Sequence, residues 1–440
     1  MKQAVDYTGR NVLVMGLGLH GGGVGIARFL ASRGASVTVT DLRSERELRP
    51  SVNALAELPI RFVLGEHRES DFRQVDMVVR NPAVPLDSPY LATARRSGVP
   101  IEMEMGLFFS EWPPAQTIGV TGTRGKTTTA TFIHHLLQTH GADTVLAGNM
   151  RVSAVGMLDN LKEDQTVVLE LSSWQLEGLD ERRISPAVAV VTNLLPDHLN
   201  RYEDMAAYAD AKKIIVRHQN RSDLAVLNRE NAYSKSFAAA TSAEVLWFSH
   251  DDELPGWERA RISGDHNRAN LAAGILAASR FDIPPSTLER AIATFPGVPY
   301  RQELVAVVGG VRYVNDSTST TPDATLAALS TLDGRIILIA GGSDKGLSFL
   351  ALATRIGSLG ERIGRVILLT GAGTEALEPL LPPHVCSHAG DMEDAVRQAS
   401  DIARSGDTVL LSPACASFGQ FANEFDRGDQ FNRAVERLKR

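Results

Sequence analysis

The sequence predicts an α/β protein of three domains, built on mostly parallel sheets. Short apolar runs recur along the chain, each ends in glycine or polar residues, and helix-like stretches separate them. This alternation is typical of parallel sheets whose strands are joined by helices. Two of the runs, in residues 11–43 and 117–137, lead into glycine-rich turns followed by helices. At 440 residues the chain is also too long for one core, which favours several domains.

Composition and charge exclude several classes of protein. The chain is 43% hydrophobic and 22% charged, as is usual for a globular protein. A formal net charge of -7 argues against general nucleic-acid binding, which needs clustered lysine and arginine. The two cysteines, Cys386 and Cys415, exclude a disulfide framework and favour a reducing compartment. We find neither a cleavable signal nor an apolar run of bilayer length, so we expect a cytoplasmic protein without a membrane segment.

The first predicted domain, residues 1–113, begins with a strand, a glycine-rich turn, a helix and a second strand. This order is Rossmann-like, because glycines allow a tight turn and the N-terminus of the next helix attracts an anion. Asp41 and Arg43 follow at the end of the second strand. The glycine spacing departs from the standard dinucleotide fingerprint. The turn could therefore bind either a nicotinamide cofactor or the pyrophosphate of a nucleotide-sugar.

The second predicted domain, residues 114–298, carries TIGVTGTRGKTTT at 117–129. An apolar strand, a glycine turn with a lysine and a helix rich in threonine predict a phosphate-binding loop, and hence a P-loop ATPase domain. Val120 occupies the place of the first consensus glycine, so the loop is a variant. The alternative is a glycine turn with an incidental lysine. The residues expected to bind phosphate are Gly122, Thr123, Arg124, Gly125, Lys126, Thr127 and Thr128.

Polar residues follow two further apolar runs of this domain. Glu170 ends the run 166–171, where a buried carboxylate needs a cation such as Mg²⁺, or could instead cap the following helix. His198 lies just after the run 186–194, where ligands gather in open α/β sheets, although a lone histidine there is more often a surface or capping residue. Lys212, beside Lys213 in a helix-like stretch, would by itself be assigned to a solvated face. Asn267 and Asn270 share one face of a helix start, where they could bind a base edge or cap the helix.

The third predicted domain, residues 299–440, repeats the alternation of apolar runs and polar ends and is also expected to be Rossmann-like. Asp316, Lys345, Ser412 and Ser417 each follow an apolar run, so they should gather at one edge of the sheet. A lysine, hydroxyl groups and helix N-terminal amides could receive a dicarboxylate. The alternative is a set of solvated loop residues.

Taken in order, these stretches resemble the Mur ligase family, the ATP-dependent amide-forming enzymes of peptidoglycan synthesis. The resemblance spans nearly the whole chain, and its last two motifs favour the glutamate-adding branch. The motifs are GLGLHGGG, DLR, TGTRGKTTT, LELSSWQLE, TNLLPDHLNRY, AYADAKK, GDHNRAN, PYRQELV, NDST, GGSDKG and LSPACASF.

The resemblance implies that glutamate, expected as the D-isomer, is joined to UDP-N-acetylmuramoyl-L-alanine through an acyl phosphate, with release of ADP and phosphate. It further implies ATP and Mg²⁺, with Mn²⁺ as a substitute, and a monomer that binds neither nucleic acid nor membrane. Use of L-glutamate, or the reaction of another ligase of the family, stays open. A nicotinamide oxidoreductase and a non-catalytic nucleotide-binding module are minor alternatives, because neither explains the third domain.

The resemblance also implies roles for the residues that match the family motifs. Lys126, His198 and a carbamylated Lys212 would be catalytic. The metal ligands would be Thr127, Glu170, His198 and Lys212. Besides residues 122–128, ATP would contact Asn267, Asn270, Arg301 and Asp316. The UDP-substrate would contact Leu19, His20, Asp41, Arg43, Asn81, Asn149 and Ser172. Glutamate would contact Lys345, Ser417 and Phe425. Four residues depart from the family pattern: Arg151, Tyr300, Thr318 and Glu424.

Overall fold

A computed structural model describes residues 5–19, 21–148, 153–198 and 201–439. The chain forms two compact units, Met1–Phe295 and Pro296–Arg440. The first unit contains two sheets and the second unit contains one.

The first sheet is parallel and has the order β3-β2-β1-β4-β5. The strand order reverses between β1 and β4, so a crevice opens at the carboxyl ends of these two strands. The glycine-rich turn leaves β1 at that place, as the sequence predicts. The strands are β1 (Asn11–Met15), β2 (Ser36–Asp41), β3 (Arg61–Leu64), β4 (Met77–Arg80) and β5 (Ile101–Glu102), and the helices are α1 (Gly22–Ser32), α2 (Glu45–Asn53), α3 (Glu69–Arg73), α4 (Pro89–Arg96) and α5 (Glu104–Glu111).

The second sheet, also parallel, has the order β11-β10-β9-β6-β8-β7. Its central strands are buried on both faces, which explains their continuous apolar runs. The strands are β6 (Thr117–Thr121), β7 (Thr144–Gly148), β8 (Thr166–Glu170), β9 (Val188–Val191), β10 (Leu224–Asn228) and β11 (Glu244–Phe248). The helices are α6 (Lys126–His140), α7 (Ala154–Met157), α8 (Ser173–Asp180), α9 (Met205–Arg217), α10 (Ala232–Ser236), α11 (Asp265–Ala277) and α12 (Pro285–Thr294).

The sheet of the second unit has the order β12-β13-β17-β14-β15-β16. Only β12 is antiparallel, and Gly309 and Gly310, both with positive φ, form the tight turn that pairs it with β13. The strands are β12 (Glu303–Val308), β13 (Val311–Asn315), β14 (Ile336–Gly341), β15 (Ile363–Leu369), β16 (Cys386–His388) and β17 (Thr408–Leu411), and the helices are α13 (Pro322–Thr331), α14 (Leu350–Leu359), α15 (Ala372–Leu377), α16 (Met392–Ile402) and α17 (Glu424–Arg437).

The predicted fold class, α/β with mostly parallel sheets, is confirmed. The domain boundaries at 113/114 and 298/299 stay predictions. Among the described helices, none combines the length and apolarity that crossing a bilayer requires.

Candidate active site

A cavity of about 920 Å³ lies in the first unit and is lined by residues of both of its domains. The first domain contributes the glycine turn after β1, the end of β2 and the loop after β4. The second domain contributes the start of α6, the start of α8 and residues of α9. The cavity therefore extends from the N-terminal glycine turn to Lys126, the first residue of α6. Lining residues that the sequence analysis singled out are Leu19, Asp41, Arg43, Asn81, Lys126, Ser172, His198 and Lys212.

The turn between β6 and α6 is held in shape by the end of β9. The backbone N–H of Thr123 donates to the carbonyl oxygen of Asn193 at 2.7 Å, and the N–H of Arg124 donates to the Asn193 side-chain oxygen at 2.9 Å. Thr192 Oγ1 donates to the Arg124 carbonyl at 2.6 Å. Lys126 is the first residue of α6, and its Nζ donates to the Thr123 carbonyl at 3.1 Å. This braced turn at the N-terminus of a helix favours a phosphate-binding loop over an incidental lysine.

Gly125 allows close packing of this loop against α11. It has φ +82°, and a Cβ at this position would lie 2.2 Å from Oδ1 of the buried Asn270. Asn267, one turn earlier on α11, donates from Nδ2 to the Ser263 carbonyl at 2.9 Å. Of the two asparagines, Asn270 therefore packs directly against the loop.

We expect Gly125→Ala to lower kcat/KM for ATP by about 100-fold, because the loop must move away from Asn270. Gly141→Ala is the matched control, since Gly141 ends the same helix with φ +100° and a Cβ there would meet nothing within 4 Å. Both variants carry backbone strain of about 1–2 kcal/mol. Thermal unfolding and ATP-dependent kinetics of the two variants check the prediction. Equal kcat/KM values would contradict it.

Glu170 and Thr127 lie side by side where β8 ends and α6 begins. Thr127 Oγ1 donates to Glu170 Oε2 at 2.8 Å. The alternative that Glu170 caps the following helix is wrong, because Ser172 caps α8 and accepts from the Gln175 N–H at 3.2 Å. Glu170 belongs instead to the edge of the sheet that carries the phosphate-binding turn.

Lys212 is buried, and the expectation of a solvated face is wrong for this residue. Its relative exposure is 2%, its Nζ lies 3.4 Å from Thr121 Oγ1, and the ammonium group lies 4.9 Å from the centre of the Tyr208 ring. Burial and, secondly, the charge of Lys126 hold the pKa of Lys212 well below its usual value. Its neighbour Lys213 pairs with Asp210 at 2.6 Å, and its side chain is 26% exposed.

His198 lies at the cavity between two aromatic rings. Its ring centre is 5.4 Å from that of Trp174 and 5.9 Å from that of Tyr208, and its Nε2 is 3.9 Å from Asp197 Oδ2. Burial lowers the pKa of His198, with Lys212 and Lys126 contributing in the same direction. A neutral imidazole is the form that binds a metal ion.

Asp41 organises the N-terminal glycine turn. Its Oδ2 accepts from the N–H groups of Leu17 and Gly18 at 2.9 and 3.1 Å, and its Oδ1 accepts from the N–H of Arg43 at 2.9 Å. In nicotinamide enzymes an acidic residue at this place binds ribose hydroxyls. Oδ1 of Asp41 keeps a further lone pair, so the carboxylate can still meet a ligand at this turn. Asn81 Nδ2 donates to the Gly16 carbonyl at 3.3 Å, while His20 and Asn149 lie outside the described residues.

In the second unit the predicted polar residues gather at the carboxyl ends of β13, β17 and β14. Ser412 Oγ donates to Asp316 Oδ2 at 2.8 Å, and burial raises the pKa of Asp316 to about 6. Lys345 Nζ donates to Thr320 Oγ1 at 2.8 Å, and the main chains of Ser343 and Ala416 form a bridge. Ser417, next to this bridge, is buried, whereas Arg301 is exposed.

Family profiles match three parts of this sequence. Residues 10–102 match the MurD-like N-terminal domain of Mur ligases, 120–276 match the Mur ligase middle domain, and 300–415 match the Mur ligase glutamate ligase domain. This chain belongs to the Mur ligase family. The family predicted from the motifs is thus confirmed.

Curated relatives align with this chain over nearly its whole length. The UDP-N-acetylmuramoylalanine--D-glutamate ligase of Roseiflexus sp. (strain RS-1) is 47% identical over 467 residues, which is 98% of this chain and 99% of the relative. The enzyme of that name from Koribacter versatilis is 35% identical, with 99% of each chain covered. The one from Clostridioides difficile is 35% identical, with 99% of this chain and 100% of the relative covered.

Solved structures of other Mur ligases share the fold. The UDP-N-acetylmuramate-alanine ligase MurC from Thermotoga maritima aligns with a TM-score of 0.58 at 20% identity, over 98% of this chain and 99% of that chain. MurF from Acinetobacter baumannii aligns with a TM-score of 0.56 at 14% identity, over 98% and 93%. At these identities the likeness concerns the fold alone.

The family implies Mg²⁺, and the residues of the ligase fit this ion. The Thr127 hydroxyl and the Glu170 carboxylate, 2.8 Å apart, are oxygen donors of the kind that Mg²⁺ prefers. His198 adds an imidazole, whereas an unmodified Lys212 adds no oxygen ligand. The described residues thus offer Mg²⁺ a hydroxyl and a carboxylate beside the phosphate-binding turn.

Three of the departures from the family pattern meet at Tyr300. Its ring contacts the Phe425 ring edge-on at 5.3 Å, and its carbonyl accepts from Thr318 Oγ1 at 2.8 Å. Its hydroxyl donates to Asp429 at 2.8 Å. Phe425 directly follows Glu424, so the third departure reaches Tyr300 through its neighbour in the chain. Arg151 lies outside the described residues.

The sequence analysis missed two residues that line the first-domain side of the cavity, His67 and Tyr90. Their rings meet edge-on at 5.0 Å, and a His67 ring nitrogen lies 2.7 Å from Thr40 Oγ1. His67 follows the end of β3, so the same strand-end signal that marks His198 could have identified it. Tyr90, at the start of a helix, gives no such signal.

Proposed function

We propose that this chain is the ATP-dependent ligase that joins D-glutamate to UDP-N-acetylmuramoyl-L-alanine in peptidoglycan synthesis. The observation that supports this most is the cavity that contains both the N-terminal glycine turn and Lys126. A nucleotide-sugar on the first turn could present its carboxylate to a triphosphate on the second. The full-length relatives named for this reaction support the same conclusion.

The chemistry requires that a carboxylate be activated before an amine can attack it. A carboxylate oxygen attacks the γ-phosphorus of ATP, the bond to ADP breaks, and an acyl phosphate forms. The amine of glutamate then attacks the carbonyl carbon, phosphate leaves, and the amine loses a proton. In this scheme Lys126 and the amides of residues 122–125 hold the triphosphate and balance the charge of the transferring group.

A second group of residues would bind the metal ions of the reaction. Thr127, Glu170 and His198 would bind metal ions, which when bound neutralise phosphate charge and orient the two anionic substrates. Lys212 would join them as a carbamate, formed when its neutral amine attacks CO₂ and releases a proton. The buried position and lowered pKa of Lys212 support this modification. Without it, Lys212 would offer the metal ions no oxygen ligand.

The remaining contacts are divided between the two units. In the first unit, Leu19, His20, Asp41, Arg43, Asn81, Asn149 and Ser172 would bind the UDP-substrate, and Asn267 and Asn270 would bind adenosine. In the second unit, Arg301 and Asp316 would contact ATP, and Lys345, Ser417 and Phe425 would bind glutamate. We further propose that the enzyme acts in the cytoplasm as a monomer.

A product assay tests the function. The protein is incubated with UDP-N-acetylmuramoyl-L-alanine, ATP and Mg²⁺, with D-glutamate or L-glutamate in separate reactions, and the product is weighed by mass spectrometry. We expect a product only with D-glutamate, and ADP release that requires all three substrates. Equal ADP release without glutamate, or a product only with another amino acid, would contradict the proposal.

A further inference from the structure

One carboxylate in the first unit receives hydrogen bonds from both domains of that unit. Glu177, on α8 in the second domain, accepts from the Tyr202 hydroxyl at 2.7 Å, from Arg201 Nη2 at 3.1 Å and from Arg80 Nη2 at 3.4 Å. Arg80 ends β4 of the first domain. Glu177 does not line the cavity, so any effect on the reaction must pass through its partners.

Both arginines also hold the loop after β4, residues 81–85, which lines the cavity. Arg80 Nη1 donates to the Val84 carbonyl at 3.1 Å, and Arg201 Nη1 donates to the Pro82 carbonyl at 3.0 Å. The Arg80 side chain is only 2% exposed. Loss of the Glu177 charge would leave two guanidinium groups facing one another, one of them buried, and would displace the loop that they hold.

The same residues hold the backbone of His198. The N–H groups of Arg201 and Tyr202 donate to the His198 carbonyl at 2.9 and 3.1 Å. The Arg201 guanidinium also lies 4.5 Å from the centre of the Trp174 ring, which contacts His198. His198 has φ 55°, in the left-handed region that a residue with a side chain occupies only when its surroundings impose it. Glu177 and its partners Arg201 and Tyr202 form part of those surroundings.

We propose that Glu177 is a positioning residue that couples binding of the nucleotide-sugar to the placement of His198. Through Arg80 and Arg201 it holds the loop 81–85, and through Arg201 and Tyr202 it holds the carbonyl group of His198. A ligand that holds the loop 81–85 in place therefore also favours the placement of His198, and the reverse holds as well. This inference rests on the proposed function, because it assigns the loop 81–85 to the nucleotide-sugar and His198 to the reaction.

Glu177→Ala and Glu177→Gln test the inference. UDP-N-acetylmuramoyl-L-alanine is titrated calorimetrically into each protein without ATP or metal, and kinetics are measured separately. We expect Glu177→Ala to raise the Kd and the KM for the nucleotide-sugar about tenfold and to lower kcat by a similar factor. The KM for ATP should stay within about twofold, because Thr192 and Asn193, neither of which binds Glu177, hold the phosphate-binding turn. Glu177→Gln, which keeps the shape, should fall between Ala and wild type.

Asp180→Ala is the matched control on the same helix. The Asp180 carboxylate also binds two partners, Arg217 at 2.9 Å and His218 at 2.7 Å, but none of the three lines the cavity. We expect this variant to lower the Tm without changing the Kd for the nucleotide-sugar.

Two outcomes would overturn the inference, and they differ from failure of the proposed function. Unchanged Kd and KM in the Glu177 variants, with a Tm loss like that of Asp180→Ala, would make Glu177 merely structural. If Glu177→Ala does not fold, an unchanged Kd in Glu177→Gln and in Tyr202→Phe has the same meaning. Wild-type protein that neither binds the nucleotide-sugar nor forms the product would overturn the proposed function as well.

Discussion

Lys126→Ala is expected to abolish ligation while leaving the fold intact. Lys126 begins α6 at the cavity, and its Nζ donates to the carbonyl of Thr123 in the phosphate-binding turn. Removing its charge from the transferring phosphoryl group should lower kcat/KM at least about 1,000-fold. The lost hydrogen bond should cost about 1 kcal/mol of stability. Kinetics with all three substrates, calorimetric titration of ATP and thermal unfolding measure these effects.

Lys162→Ala is the control for Lys126→Ala. Lys162 lies in the same domain, but its side chain is 69% exposed and pairs with Asp143 at 2.8 Å. Its removal should change neither kcat nor the Kd for ATP. Retention of more than about a tenth of wild-type activity in Lys126→Ala would refute the phosphate role.

Lys212→Met is expected to lower activity strongly without destabilising the protein. Methionine keeps the buried stem but has no amine to form a carbamate, so we expect kcat to fall at least about 1,000-fold. The unfolded chain holds the Lys212 proton up to about pH 10.5, whereas the folded protein releases it at lower pH. In CO₂-free buffer, where Lys212 is an unmodified amine, wild-type stability therefore rises with pH between the folded and unfolded pKa values of Lys212, and Lys212→Met lacks that contribution.

The expected measurements for Lys212 separate stability, modification and activity. Lys212→Met should match or exceed the wild-type Tm at pH 7, and its advantage should shrink as the pH rises.

Wild-type activity should fall in CO₂-free buffer and return with bicarbonate, and ¹³C-bicarbonate should label the wild type alone. Lys213→Ala, which removes the solvated neighbour, should behave as wild type. Wild-type activity that does not change with CO₂, together with the absence of a ¹³C label, would exclude the carbamate. Near-normal turnover of Lys212→Met would exclude a role for the amine.

The features predicted correctly from the sequence are those encoded over short distances. The strand, turn and helix of residues 117–140 are contiguous, so their pattern predicts this order of elements before any packing is known. Glu170 is different, because the sequence left a cation and a helix cap equally open. The decision depends on Ser172, which caps α8, and on the pairing of β6 with β8, which brings Glu170 to Thr127.

Residues whose environment depends on distant packing were predicted least well. Lys212 and Lys213 are adjacent lysines on one helix, and no local pattern distinguishes the buried one from the solvated one. Glu177 is an ordinary helical glutamate in the sequence, since its partners Arg80 and Arg201 are 97 and 24 residues away. Asp41 lines the cavity, and its carboxylate also organises the glycine turn through the N–H groups of Leu17 and Gly18, which lie 24 and 23 residues earlier.

The sequence by itself determined the α/β class, the strand–turn–helix order of residues 117–140 and the family, because periodicity, glycine placement and motif order are properties of neighbouring residues. Only the tertiary structure decided that Lys212 is buried, that the N-terminal glycine turn and Lys126 line one cavity and that Glu177 joins two domains. The physical reason is that burial and charge pairing depend on which segments meet in space. Strand order and helix packing determine which segments meet, and these contacts join residues that are far apart in the sequence.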